Sequence, residues 1–156
     1  MQIARTGRFV FVAHWVAAVL LPLFFFLGRG LVGAQIGWMG IVGIVYGLLV
    51  VAILLVPPIM TLFDRTVRRE KTTRFGYDVS TFVLWGAFLL ASLTVPDSGD
   101  SGHLDSAVTT WSGGAISYET SEAIFTVAAI VIGLAYLAIV VFAVLGIARW
   151  RRPFDG

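Results

Sequence analysis

Few side chains in this 156-residue chain sit where they could do chemistry. His14 lies within an uncharged apolar run, Phe9–Leu27, and it is the one ionisable group well inside such a run apart from the phenols of Tyr46 and Tyr136. Pro57 and Pro58 lie at a similar depth in the next run, Gly37–Phe63, and Thr81 and Trp85 lie in the third, Val79–Val95. Adjacent prolines have no N–H for the carbonyls of Ile53 and Leu54, which leaves acceptors that an imidazole or indole N–H suits. A polar intramembrane layer of His14, Tyr46, Thr81, Trp85 and Tyr136 is expected, set around a helix break at Pro57-Pro58. An unpaired polar group costs several kcal/mol in hydrocarbon, so one reading of His14 is a structural donor. The other is a ligand- or proton-handling group, since ionisable residues inside a membrane are functional suspects by default.

The stretch Arg8-Phe9-Val10-Phe11-Val12-Ala13-His14-Trp15 resembles the first helix of bacterial b-type cytochromes, where a His-Trp pair follows basic residues. That resemblance covers one helix and a two-residue motif, and it implies haem bound through His14. The family uses further histidines on other helices, whereas the only other histidine here, His103, falls in a loop. A bis-histidine haem within one copy is excluded, and only a haem shared between two copies fits. No resident cofactor is expected beyond lipid, with haem or quinone as the remote cases.

Other chemistry is sparse. The chain has no cysteine, which rules out disulfides and thiolate metal sites. It has no nucleophile elbow, P-loop, dinucleotide fingerprint, paired carboxylates or HExxH, so a catalytic role is not expected. Asp97, Asp100, His103 and Asp105 could be drawn as ligands, but Asp97-Ser-Gly-Asp100-Ser-Gly is turn chemistry and its spacing fits no metal loop. A solvated loop is expected, with a short helix over Leu104–Trp111 and with Trp111 and Tyr118 at headgroup level.

The elements that hold these residues follow from hydropathy. Hydrophobic residues make up 58% of the chain and charged residues 13%, about half the charge of a soluble domain. Four runs, 9–27, 37–63, 79–95 and 123–148, contain no Asp, Glu, Lys or Arg. About 20 helical residues cross a ~30 Å hydrocarbon core, and the runs are near or above that length. The expected fold is an all-α integral membrane protein, a single four-helix transmembrane bundle without a separate soluble domain. Ten of the eleven basic residues flank the runs on one side, at Arg5 and Arg8, at Arg65–Arg74 and at Arg149–Arg152; only Arg29 lies on the other. The positive-inside rule then makes both termini cytoplasmic, with a short outer loop and a longer acidic one. The Arg65–Arg74 cluster reads as a topology determinant that touches anionic lipid. A basic start and Val32-Gly33-Ala34 invite comparison with a signal peptide, but the first run is too long and Arg29 sits where a cleavage region is uncharged, so a retained helix is expected.

Small residues also recur regularly. Gly33, Gly37, Gly40, Gly43 and Gly47 fall within about 120° of one helix face, where two backbones can approach closely. Gly37, Gly40, Gly43, Gly47 and, on the last span, Gly133 are expected to pack against protein, within the bundle or against another subunit. Gly43-x-x-Tyr46-x-x-x-Val50-Val51 matches Gly133-x-x-Tyr136-x-x-x-Val140-Val141, a faint sign of two parallel repeats.

These features favour a structural or accessory subunit of a larger membrane complex, or a self-associating tetraspan protein. A small channel or carrier for a neutral or apolar solute, lined by His14, Tyr46, Thr81, Trp85 and Tyr136, is the alternative. A quinone- or cofactor-binding redox subunit built on His14 is the third reading. Expected partners are membrane lipids and a partner subunit or second copy, not nucleic acid. The Arg-rich, Asn-free composition suggests a GC-rich genome and a prokaryotic plasma membrane.

Overall fold

The computed structural model describes residues 6–100 and 102–149. The expected topology signals at Arg5, Arg151 and Arg152 lie outside them. Four helices are long and apolar enough to cross a membrane: α1 Gly7–Phe26, α2 Trp38–Thr61, α4 Phe75–Thr94 and α6 Tyr118–Arg149. Between them lie a 3₁₀ turn Gly28–Val32, a short helix α3 Arg65–Glu70, a hairpin β1 Asp97–Gly99 with β2 Gly102–Leu104, and a short helix α5 Ala107–Trp111.

The third and fourth long helices start earlier than the uncharged runs at 79 and 123, since a buried acid and a side-chain cap extend them. Asp78 sits inside α4 and is almost fully buried, its carboxylate accepting from the hydroxyls of Thr6 (2.8 Å) and Thr73. At α6 the Ser117 hydroxyl accepts from the Thr120 N–H at 3.2 Å, a side-chain cap that starts the helix ahead of its apolar run.

The helices run up and down alternately. Thr73 donates from its N–H to the Gly7 carbonyl at 3.2 Å, and its hydroxyl, shared with Asp78, lies 3.0 Å from the same oxygen, joining the starts of α1 and α4. The same end holds Asp64, which caps α3 through the Thr66 and Val67 N–H groups and pairs with Arg74 at 2.9 Å. We call this the basic end. At the opposite end, which carries the hairpin, the Ser121 hydroxyl donates to the Thr94 carbonyl at 2.7 Å and ties α6 to α4.

Around the ring the order is α1, α2, α6, α4, with α4 and α6 the most extensive pairing. The core is small and apolar: Val10, Ala18, Leu54, Leu84, Phe88, Ala135 and Ile139 are all buried. Most large apolar side chains of α2 and α6 face outward instead, from Ile41 through Leu49 on one and from Val127 through Leu145 on the other. Outward apolar faces are what hydrocarbon solvent permits.

Candidate functional site

The interior polar residues collect where α1 meets α4. His14 is 1% exposed, and its Nδ1 lies 3.1 Å from the Tyr77 hydroxyl. Its other ring nitrogen, Nε2, is buried with no hydrogen-bond partner. The indole of Trp85 meets the imidazole edge to face, ring centres 6.1 Å apart, and the Trp85 Nε1 is likewise buried without a partner. Outside Trp85 stand two largely exposed rings, Phe9 and Phe82, at 6.2 and 5.4 Å from it. Tyr77 was not anticipated. Taking Asp78 as the end of a span placed Tyr77 in a loop, and the Thr-Thr pair before α4 was the signal that the acid had buried partners.

The expected single layer is divided. Thr81 is fully buried, but its hydroxyl turns back to the Tyr77 carbonyl at 2.8 Å, one turn earlier on its own helix. Tyr46 is 57% exposed on the outer face of α2 and does not join His14. Tyr136 belongs to a second locus, donating from its hydroxyl to the Ile53 carbonyl at 3.0 Å. That carbonyl is the one Pro57 leaves without its helical donor.

Pro57 and Pro58 do not break α2. The helix runs through both, which are buried, and the Thr61 hydroxyl accompanies the Pro58 carbonyl at 2.7 Å. α6 supplies a donor, Tyr136, for one of the two carbonyls that the prolines free, that of Ile53. The expectation that His14 or Trp85 meets the freed carbonyl is corrected accordingly.

The glycines also part company. Gly43 and Gly47 lie against the Phe26 ring of α1, and Gly40 is buried next to Ile36. Gly37 is outside α2, just before its first residue, and works through its backbone: its N–H donates to Asp97 at 2.7 Å. Gly133 is exposed, and a Cβ built there would meet nothing within 4 Å, so it is not part of a packing face in this bundle.

The hairpin end holds a feature that loop chemistry had hidden. Arg29, 0% exposed, pairs with Asp97 and also donates to the Val95 carbonyl at 3.2 Å. Asp97 in turn accepts from the N–H groups of Gly37, Met39 (3.1 Å) and Ser98 (2.8 Å), so the start of β1 caps the start of α2. Burial opposes ionisation of Asp97, but the three backbone donors and Arg29 outweigh it and hold its carboxyl below the usual carboxylate range. Burial lowers Arg29 from its ordinary value, and Asp97 acts against that.

The rest of the connection at the hairpin end is partly folded too. The Trp111 indole donates to the Val32 carbonyl at 2.7 Å, and the His103 ring packs on Tyr118 with centres 4.5 Å apart. The short helix covers Ala107–Trp111, without Leu104. Among the described residues, no three His, Cys, Asp or Glu side chains come together as a metal site.

Comparison of the chain with protein-family models, with curated proteins and with solved structures gives no match to any of them.

Proposed function

We propose that this chain is a small structural or accessory subunit of a plasma-membrane complex, one that packs against a larger partner or a second copy of itself. The observation that carries this reading is the contrast between the two halves of the bundle surface. α4 is held on several sides, whereas α2 turns a long apolar face outward and leaves a groove against α1, of about 310 Å³, lined by Val19, Leu23, Phe26, Gly43 and Gly47. The buried polar groups at the two ends tie helices together, as struts do in a scaffold. A solute path is less well supported, because Tyr46 lies on the outer face and the Tyr136 hydroxyl is engaged by the Ile53 carbonyl.

The Lys and Arg distribution supports insertion with the basic end in the cytoplasm and the hairpin end outside. Native mass spectrometry after mild detergent extraction tests the assembly. A complex with a larger subunit, or a homo-oligomer, is expected; a lipid-bearing monomer at every detergent concentration would sink the reading. Cysteines placed singly at Glu70 and Ala115 test orientation. The Ala115 thiol is expected to react with an impermeant reagent in intact cells, and the Glu70 thiol only after lysis.

A further inference from the structure

The polar group buried between α1 and α4 has more hydrogens than it has acceptors. Tyr77 brings an O–H, Trp85 an N–H and a neutral imidazole one N–H, three hydrogens in all, while the acceptors are two atoms, one imidazole nitrogen and the Tyr77 oxygen. If the Tyr77 hydroxyl donates to Nδ1, both unpartnered nitrogens, His14 Nε2 and Trp85 Nε1, carry hydrogens. If Nδ1 carries the hydrogen instead, the Tyr77 O–H must find another acceptor. Whichever tautomer forms, at least one donor must look outside the three residues. In hydrocarbon such a donor is not left idle without a penalty of several kcal/mol.

We propose that this locus binds a membrane-dissolved molecule that presents a carbonyl oxygen on a flat ring, the chemistry of a quinone headgroup. A carbonyl oxygen has two lone pairs and no hydrogen, so it matches an excess of donors. A water molecule would bring two further hydrogens into surroundings made of Phe9, Phe82 and aliphatic side chains. The Phe9 and Phe82 rings stack 6.4 Å apart at an interplanar angle of 10°, and they are 60% and 42% exposed. They can therefore part towards the lipid without opening the core, and Trp85 is the one ring between them and His14. Depth separates the candidate acceptors. Trp85 lies about 15 Å along α4 from Phe75, near the middle of a ~30 Å core and beyond the ester carbonyls of phospholipids. The proposal concerns binding only and is independent of the accessory-subunit reading.

The test uses the full chain in nanodiscs, titrated with a decyl-substituted benzoquinone. The chain has two histidines, so the imidazole ¹⁵N signals of His14 can be followed in the unaltered protein, with His103 as the internal control. Saturable movement of the His14 signals, with those of His103 unmoved, is expected. Trp85→Phe keeps the ring packing and removes the N–H. It should weaken binding about tenfold, the equivalent of one hydrogen bond. Leu48→Ala, in the α1/α2 groove, should leave it unchanged. Three results would overturn the proposal: a linear, unsaturable response; equal affinity in Trp85→Phe; or His14 signals that respond to replacing ester lipids by ether lipids but not to the quinone.

Discussion

Asp97→Ala removes one carboxylate and strands four groups at once. Arg29 loses its only carboxylate while remaining 0% exposed, and the N–H groups of Gly37, Met39 and Ser98 lose their acceptor. Removing one partner of a buried ion pair typically costs about 3–5 kcal/mol, because the remaining charge is left uncompensated. At roughly 2–4 °C per kcal/mol for a chain of this size, the apparent Tm in detergent should fall by about 10 °C. Fluorescence-detected size exclusion after heating measures that shift. The double variant Arg29→Met/Asp97→Asn should recover most of it, since no charge is buried and the Asn carbonyl still accepts from the backbone. Acidity offers a second view. Asp97 is held below its ordinary value, so its contribution is present above about pH 4 and is lost as pH falls through the depressed value. Wild-type Tm should therefore drop in that acid range, and Asp97→Asn should flatten the drop. If Asp97→Ala melted within 2 °C of wild type, or if the double variant were as weak as the single, the clamp would not be holding the two connections at the hairpin end together.

Tyr136→Phe should cost about 1 kcal/mol by leaving the Ile53 carbonyl without a donor, and Pro57→Ala in the same chain should reduce that loss by restoring a helical N–H; a double-mutant cycle on thermal stability measures the coupling. Gly43→Val should destabilise by about 1–3 kcal/mol, since its Cβ would meet the Phe26 Cβ at 2.5 Å and the ring at 2.6 Å, whereas Gly133→Ala should be neutral or stabilise by up to ~1 kcal/mol, as detergent melting curves will show. His14→Leu should cost about 1–2 kcal/mol through the unpaired Tyr77 hydroxyl, and an unchanged melting curve would mean that the contact contributes little.

Helix number and approximate limits were legible because solvent imposes them: hydrocarbon demands long uncharged helices, and length and hydropathy report that directly. Charge near a span end was the weak point. Arg29 is buried through Asp97, far away in sequence, and no local window contains both; Asp78 has one distant partner, Thr6, and one near it, Thr73. Small-residue periodicity describes a face and not what stands opposite it: Phe26 stands opposite Gly43 and Gly47, and nothing within the bundle stands opposite Gly133. The proline pair frees acceptors by its chemistry alone, without breaking α2. The donor to one of them, Tyr136, is 83 positions away from Ile53 and could be named only once α6 was seen beside α2.

The clamp at the hairpin end also has a consequence for how the chain is made. Arg29 and the first residues of α2 leave the ribosome long before Asp97, which follows Arg29 by 68 positions. Until the third long helix has been delivered to the bilayer, the first hairpin carries a cation without its counter-ion and a helix start without its cap. The hairpin alone is therefore an unfinished piece. Chains halted before Asp97 should be loosely seated and open to membrane proteases, and arrival of that one aspartate should mark the moment at which the first half of the protein becomes resistant to them.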